Sequence, residues 1–122
     1  MKYLALISLI IIPMLSHAKK LESDYQDEWC EGQKEVVLID RTRIDCLTNT
    51  HAIEVEFANK WKEAIGQSLH YSLMTGKRAG IVLIMRKPTD QKYMAALERV
   101  IDHNNLIIDL WLIPASKQPN KT

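Results

Sequence analysis

Two nearly continuous apolar runs, Ala79 to Met85 (AGIVLIM) and Leu106 to Ile113 (LIIDLWLI), constrain this chain more than any other feature. Each has the length of a strand, and neither alternates. A strand that is apolar on both sides must be covered on both, as parallel strands are in a sheet packed between helices. The segment between the runs supplies cover. Pro88-Thr89-Asp90 opens a helix whose inner face carries Tyr93, Met94, Leu97, Val100 and Ile101. The segment before them does the same. Trp61, Ile65, Leu69 and Leu73 recur every four residues, with Ala64, Ser68 and Ser72 beside them. This predicts a helix from about Asn59 to Thr75 that packs through that stripe and ends at Gly76.

The upstream half alternates instead. In His51 to Phe57 (HAIEVEF), Ile53, Val55 and Phe57 face one way and Glu54 and Glu56 the other. Arg43 to Leu47 (RIDCL) sets Ile44 and Cys46 against Arg43 and Asp45, and Thr48-Asn49-Thr50 is a turn cluster between the two strands. Glu35 to Asp40 (EVVLID) reads as a further strand, joined by a tight Arg41-Thr42 connection. Leu21, Tyr25 and Trp29, four apart, mark one face of a short helix stopped near Gly32. The predicted order is α-β-β-β-α-β-α-β, an α/β fold with a mixed central sheet flanked by helices. No repeat or linker divides it, so residues 19–113 form one domain and 114–122 a flexible polar tail.

The N-terminus has the parts of a secretory signal peptide. Lys2 supplies the positive end, Tyr3 to Leu15 the apolar region, and Ser16-His17-Ala18 a small-x-small cleavage sequence. The apolar run of about 13 residues falls short of the roughly 20 a spanning helix needs. Residues 1–18 are therefore expected to be removed, leaving an exported chain, periplasmic or secreted, with no stable membrane insertion. The alternative is an uncleaved anchor. Two cysteines in an exported chain suggest one disulfide, Cys30 to Cys46, the other possibility being two separate buried thiols. Closing that loop of about 16 residues would contribute ~3 kcal/mol. Without Lys2 the chain has 15 basic and 15 acidic residues, so no global field advertises a nucleic acid or an anionic membrane.

Three carboxylates stand out. Asp45 lies on the second strand, Glu54 and Glu56 two apart on the third, and paired strands would bring them to one face. Such oxygen clusters suit a hard divalent cation, although charges alternating with core residues are also an ordinary solvated sheet face. The next helix carries Lys60, Glu63, Gln67 and Tyr71 on the side away from the apolar stripe, starting beside the acidic strand. His51, His70 and His103 form no metal spacing, Trp61 and Trp111 read as core, and Asp109 invites a Lys or Arg partner.

The stretch RIDCLTNTHAIEVEFANKWKEAIGQSLHYSLMTGKRAGIVLI resembles the PD-(D/E)xK, or restriction-endonuclease-like, nuclease superfamily. The resemblance spans about Trp29 to Ile113. It implies a restriction-endonuclease-like α-β-β-β-α-β core, with Asp45 and Glu54 as the two motif acids holding Mg²⁺ (or Mn²⁺) together with the Val55 carbonyl. Gln67 and Tyr71 resemble the QxxxY element of RecB-type members. The motif lysine is replaced by Glu56, and Lys60, or secondarily Lys62, is the candidate for a lysine moved to the helix. The implied activity is hydrolysis of DNA phosphodiester bonds. Asp45, Glu54, Glu56, Lys60 and Gln67 would be catalytic, and Arg41, Arg43 and Tyr71 would contact DNA, with Lys77, Arg78, Arg86 and Lys87 as further backbone contacts. The alternative is a catalytically degenerate member acting as a binding or interaction module. DNA versus RNA and the oligomeric state stay open.

Overall fold

A computed structural model describes residues 5, 7–12 and 19–115. The cleavage sequence Ser16-His17-Ala18 and the tail from 116 onward lie outside the described residues. In chain order the elements are α1 (Glu22–Trp29), β1 (Gln33–Val37), β2 (Arg43–Leu47), β3 (His51–Phe57), α2 (Trp61–Thr75), β4 (Arg78–Ile84), α3 (Gln91–His103) and β5 (Ile108–Ile113). Single 3₁₀ turns precede α2 and α3.

The five strands form one mixed sheet in the order β1-β2-β3-β4-β5. The first three make an antiparallel meander, and β3, β4 and β5 run parallel. Short turns suffice for the meander, whereas each parallel step needs a crossover, supplied by α2 and α3. Helices cover both faces. On one, α1 sets Tyr25, Trp29 and Cys30 against Cys46, Ile53, Val55, Val82, Ile84 and Trp111. On the other, α2 and α3 cover Ala79, Ile81, Leu83 and Ile108. Ile81, Val82, Leu83 and Ile84 are all fully buried, which is what the unbroken apolar run requires. Each such side chain contributes about 1.5–3 kcal/mol. A Cys30–Cys46 disulfide ties the end of α1 to β2.

Three expectations are corrected. β1 is Gln33–Val37, not residues 35–40, because Leu38 to Thr42 is a turn. Asp40 Oδ1 accepts from the Thr42 N–H at 3.0 Å and from its hydroxyl at 2.6 Å, Arg41 takes φ 70°, and Ile39 is fully exposed. In α2 the buried positions are Ala64, Ser68 and Tyr71, while Leu69 and Leu73 are exposed. Ser68 tolerates burial because its hydroxyl donates to the Ile65 carbonyl at 3.1 Å. In α1 the buried residue is Gln26, and Leu21 is exposed. Two glycines are dictated by geometry. Gly76 ends α2 with φ 70°, and a Cβ on Gly32 would lie 2.3 Å from the Leu47 carbonyl oxygen.

Candidate active site

The β2–β3 ladder closes only at its turn end, over Cys46 opposite Ile53 and Leu47 opposite Ala52. Continued, it would place Asp45 opposite Glu54. Instead the strands part there. The Val55 N–H donates to Asp45 Oδ2 at 2.8 Å. The Asp45 carbonyl accepts from Gln26 Nε2 of α1 at 2.9 Å, and the same nitrogen donates to Glu35 Oε1 at 3.0 Å. Backbone groups that a sheet would satisfy are satisfied by side chains, so the opening is built rather than frayed. On the other side of β2 the β1 register skips the Glu35–Asp45 pair, and Glu35 stands at φ 55°. A non-glycine residue in that left-handed conformation costs on the order of 1–3 kcal/mol. Its carboxylate is held by Gln26 and, at 3.3 Å, by Arg43.

Three acids meet at this opening. Asp45 is half-buried, and Glu54 and Glu56 are only 4% and 5% exposed. Among the described residues, Glu54 Oε2 and Glu56 Oε1 are buried with no hydrogen-bond partner. Native structures seldom leave such atoms unmet without a functional reason or a bound species. Burial pushes the Asp45 carboxyl up. It pushes Glu54 further, with the neighbouring Asp45 charge adding to the rise. Burial, then contact with Glu22, raises Glu56 to about 8. Tyr71 is held above its ordinary range by burial and by the Glu54 and Asp45 charges. Lys60 Nζ lies 3.8 Å from Glu56 Oε1 with its side chain half exposed, and Glu63 adds negative charge near Glu56.

The structure brings Asp45, Glu54, the Val55 N–H, Glu56 and Lys60 near one another, with Arg43 at the edge. Tyr71 is also there, but buried against Glu54, which corrects its expected place on the outer face and as a DNA contact. The cause is the turn of α2 about its axis. Gln67 lies on the exposed side of α2, and among the described residues no hydrogen bond ties it to the acids. Arg41 sits on the exposed β1–β2 turn. The other basic residues do not form one patch. Lys77 and Arg78 lie at the start of β4 and Arg86 and Lys87 past its end, about 20 Å apart along a strand of that length. Arg78 is bound by Asp109 through Nε at 2.8 Å and Nη2 at 2.9 Å, so Asp109 has the expected basic partner. His51 also bonds Asp109, at 2.6 Å.

Three contributors escaped the sequence reading: Glu22, Gln26 and Glu35. Glu22 and Gln26 are four apart on α1, a helical spacing visible only if polar residues are allowed on an inner face. Glu35 carried no local signal.

Concavities lie elsewhere on the described residues. One of about 620 Å³ surrounds Thr48, Thr50 and Lys77, and one of about 400 Å³ lies between α1 and the carboxyl ends of β4 and β5. The three acids line neither. They lie where β2 and β3 part. Compared with protein-family models, curated proteins and solved structures, the chain matches none.

Proposed function

We propose that this protein is an exported, metal-dependent nuclease of the restriction-endonuclease-like type, hydrolysing phosphodiester bonds of DNA. The observation that carries the reading is the opened β2–β3 ladder, where Asp45 and Glu54 converge and a buried Glu54 oxygen has no partner. The α-β-β-β-α-β arrangement around it supports the same reading. So does the position of the acids, one on β2 and one on β3.

The donor set fits one small hard cation. Among the described residues no group of three or more His, Cys, Asp or Glu side chains is placed to hold a metal. Mg²⁺, however, commonly takes one or two carboxylates and keeps several waters. Asp45 and Glu54 would hold it, with the Val55 carbonyl between the motif positions. Bound there, the cation would lower the pKa of a water and offset phosphate charge. The chain's own groups do the rest. Gln26 and the Val55 N–H fix Asp45, and Tyr71 confines Glu54 from the α2 side. Glu56, in its ionised form, can take a proton from a water at its unpartnered buried oxygen. Lys60, close to Glu56 but half exposed, can reach a phosphate oxygen and balance its charge. Arg43 and Arg41 lie on the β1–β2 side for backbone contacts.

Export is supported by the disulfide, which persists in oxidising compartments. Ile7 and Leu9 to Ile12 of the N-terminal apolar run are largely exposed, as suits a segment destined for removal. Among the described residues no helix is long and apolar enough to cross a membrane.

The test is cleavage of single- and double-stranded DNA by purified protein across a Mg²⁺ and Mn²⁺ titration. Activity is expected with metal, none with chelator, and in Asp45→Asn a loss beyond the roughly 10–100-fold that removing a ligand's mere support costs. Protein that is folded, disulfide-bonded and inactive with every divalent metal would refute the reading. It would leave a binding module on the same fold.

A further inference from the structure

The concavity of about 400 Å³ beside α1 is of ligand-binding size. Its walls are Tyr25 and Trp29 of α1, Met85 and Arg86 after β4, and Ile113 at the end of β5. It therefore opens at the carboxyl ends of parallel strands, where open α/β sheets characteristically take ligands. Aromatic and apolar side chains form the walls, and Lys20, Arg86 and the Glu28 carboxylate sit on the rim. Lys20 lies 4.2 Å from the centre of the Tyr25 ring and is paired with Glu28 at 2.6 Å. The Arg86 guanidinium lies 3.9 Å from the centre of the Phe57 ring and hydrogen-bonds Asn59 at 3.1 Å. Among the described residues no carboxylate pairs with it.

The hollow lies on the α1 face of the sheet, the side taken by Val55 and Phe57, while Glu54 and Glu56 of the same strand take the other side. Phe57 directly follows Glu56, and the Tyr25 ring meets it edge-on with centroids 5.9 Å apart. Glu22, which touches Glu56, is one turn before Tyr25 and Gln26 on the same helix.

From this geometry we infer that the hollow between α1 and the ends of β4 and β5 is a nucleobase subsite. It receives one unstacked base of a single-stranded DNA segment between Tyr25 and Trp29, with Arg86 on the adjoining phosphate. The walls offer no array of hydrogen-bonding groups to read a base edge, so the subsite accepts any base by its π-face. It selects for unpaired over duplex DNA, because a paired base cannot leave its stack without a further penalty. This inference rests on the nuclease reading for its substrate class but has its own test.

That test is equilibrium binding of a fluorescein-labelled oligodeoxythymidylate and of a duplex to the purified protein in chelator, where cleavage is silent. The single strand is expected to bind more tightly than the duplex. Tyr25→Ala should weaken single-strand binding by about tenfold, the lower part of the range for one lost stacking contact, and Tyr25→Phe should restore it. Arg86→Glu, an exposed change, should weaken it at least as much and should reduce the salt dependence. Thermal melts identify folded variants. Should Tyr25→Ala not fold, Arg86→Glu and Tyr25→Phe decide. Binding lost in these variants while no metal supports cleavage would uphold the subsite and overturn the nuclease reading. Cleavage in wild type with oligonucleotide affinity unmoved by Arg86→Glu and Tyr25→Ala would overturn the subsite and leave the nuclease reading intact. Absence of single-strand binding by wild type, or equal binding of duplex with unmoved variants, overturns the subsite as well.

Discussion

Replacing Glu54 by glutamine keeps its shape and removes its ionisable group, and the structure assigns this change an unusual sign. Glu54 is buried beside Asp45, and its pKa is raised well above that of a free glutamate. An acid whose folded pKa is raised keeps its proton in the folded chain while the unfolded chain releases it. Between the two pKa values the unfolded state therefore binds fewer protons, and stability falls as pH rises. The contribution is intact below about pH 4.3 and is lost progressively above it. From there to about pH 7, a full retained proton corresponds to at most about 3–4 kcal/mol, and local relaxation reduces this to an expected 1–3 kcal/mol. Glu54→Gln should consequently stabilise the metal-free protein near neutrality by that amount, about 4–8 °C in Tm per kcal/mol for a domain of this size. Thermal melts by circular dichroism in chelator, at about pH 7.5 and about pH 4.5, separate the cases. The variant should gain at the higher pH and change little at the lower. Mg²⁺ should raise the Tm of the wild type and not of Glu54→Gln. An equal loss of stability at both pH values would refute the reasoning, since it would mean that the carboxyl is held by fixed hydrogen bonds and not isolated.

Other consequences are open to direct measurement. Gln26→Ala leaves the Asp45 carbonyl and the Glu35 carboxylate without their shared donor and should cost about 1–3 kcal/mol in urea unfolding. Replacing Cys30 and Cys46 together by serine opens a 16-residue separation and should cost ~3 kcal/mol in the same assay. Asp109 behaves oppositely to the buried acids. Arg78 and His51 lower it to about 2, so its contribution is present above about pH 3.9 and lost as pH falls toward 2. Asp109→Asn should flatten the acid limb of the stability profile between those values.

The parts of the fold legible in the sequence were those where side-chain period and burial agree. β2 and β3 were legible from the alternation of their residue types, although β3 is buried on both sides and Ile44 and Cys46 of β2 pack into different clusters. β4 is apolar throughout because helices cover both faces. The disulfide was readable from the cysteine count together with the expectation of export. What misled were positions where a polar group is buried with its needs met. Ser68 and Tyr71 turn inward and displace Leu69 and Leu73 to the surface, a choice that hydropathy alone does not register. β1 ends three residues earlier than read because Leu38 and Ile39 look like strand, although the Asp40 side chain closes a turn around them. At the site, Asp45, Glu54 and Glu56 declared themselves by type and spacing. Gln26 and Glu35 did not, because their roles arise from a gap in a ladder, which belongs to the tertiary structure.

The covalent loop from Cys30 to Cys46 contains the whole of β1 and its turn. β1 is an edge strand, and an edge strand is the element most easily exchanged with a second copy of the same chain. Here both of its ends are anchored to one protomer, through α1 on one side and β2 on the other. To be donated to a neighbour, β1 would have to carry the bridged loop with it. The bond therefore confers resistance to domain swapping, so protein denatured and refolded with the bridge intact should return as unswapped chains even at high concentration.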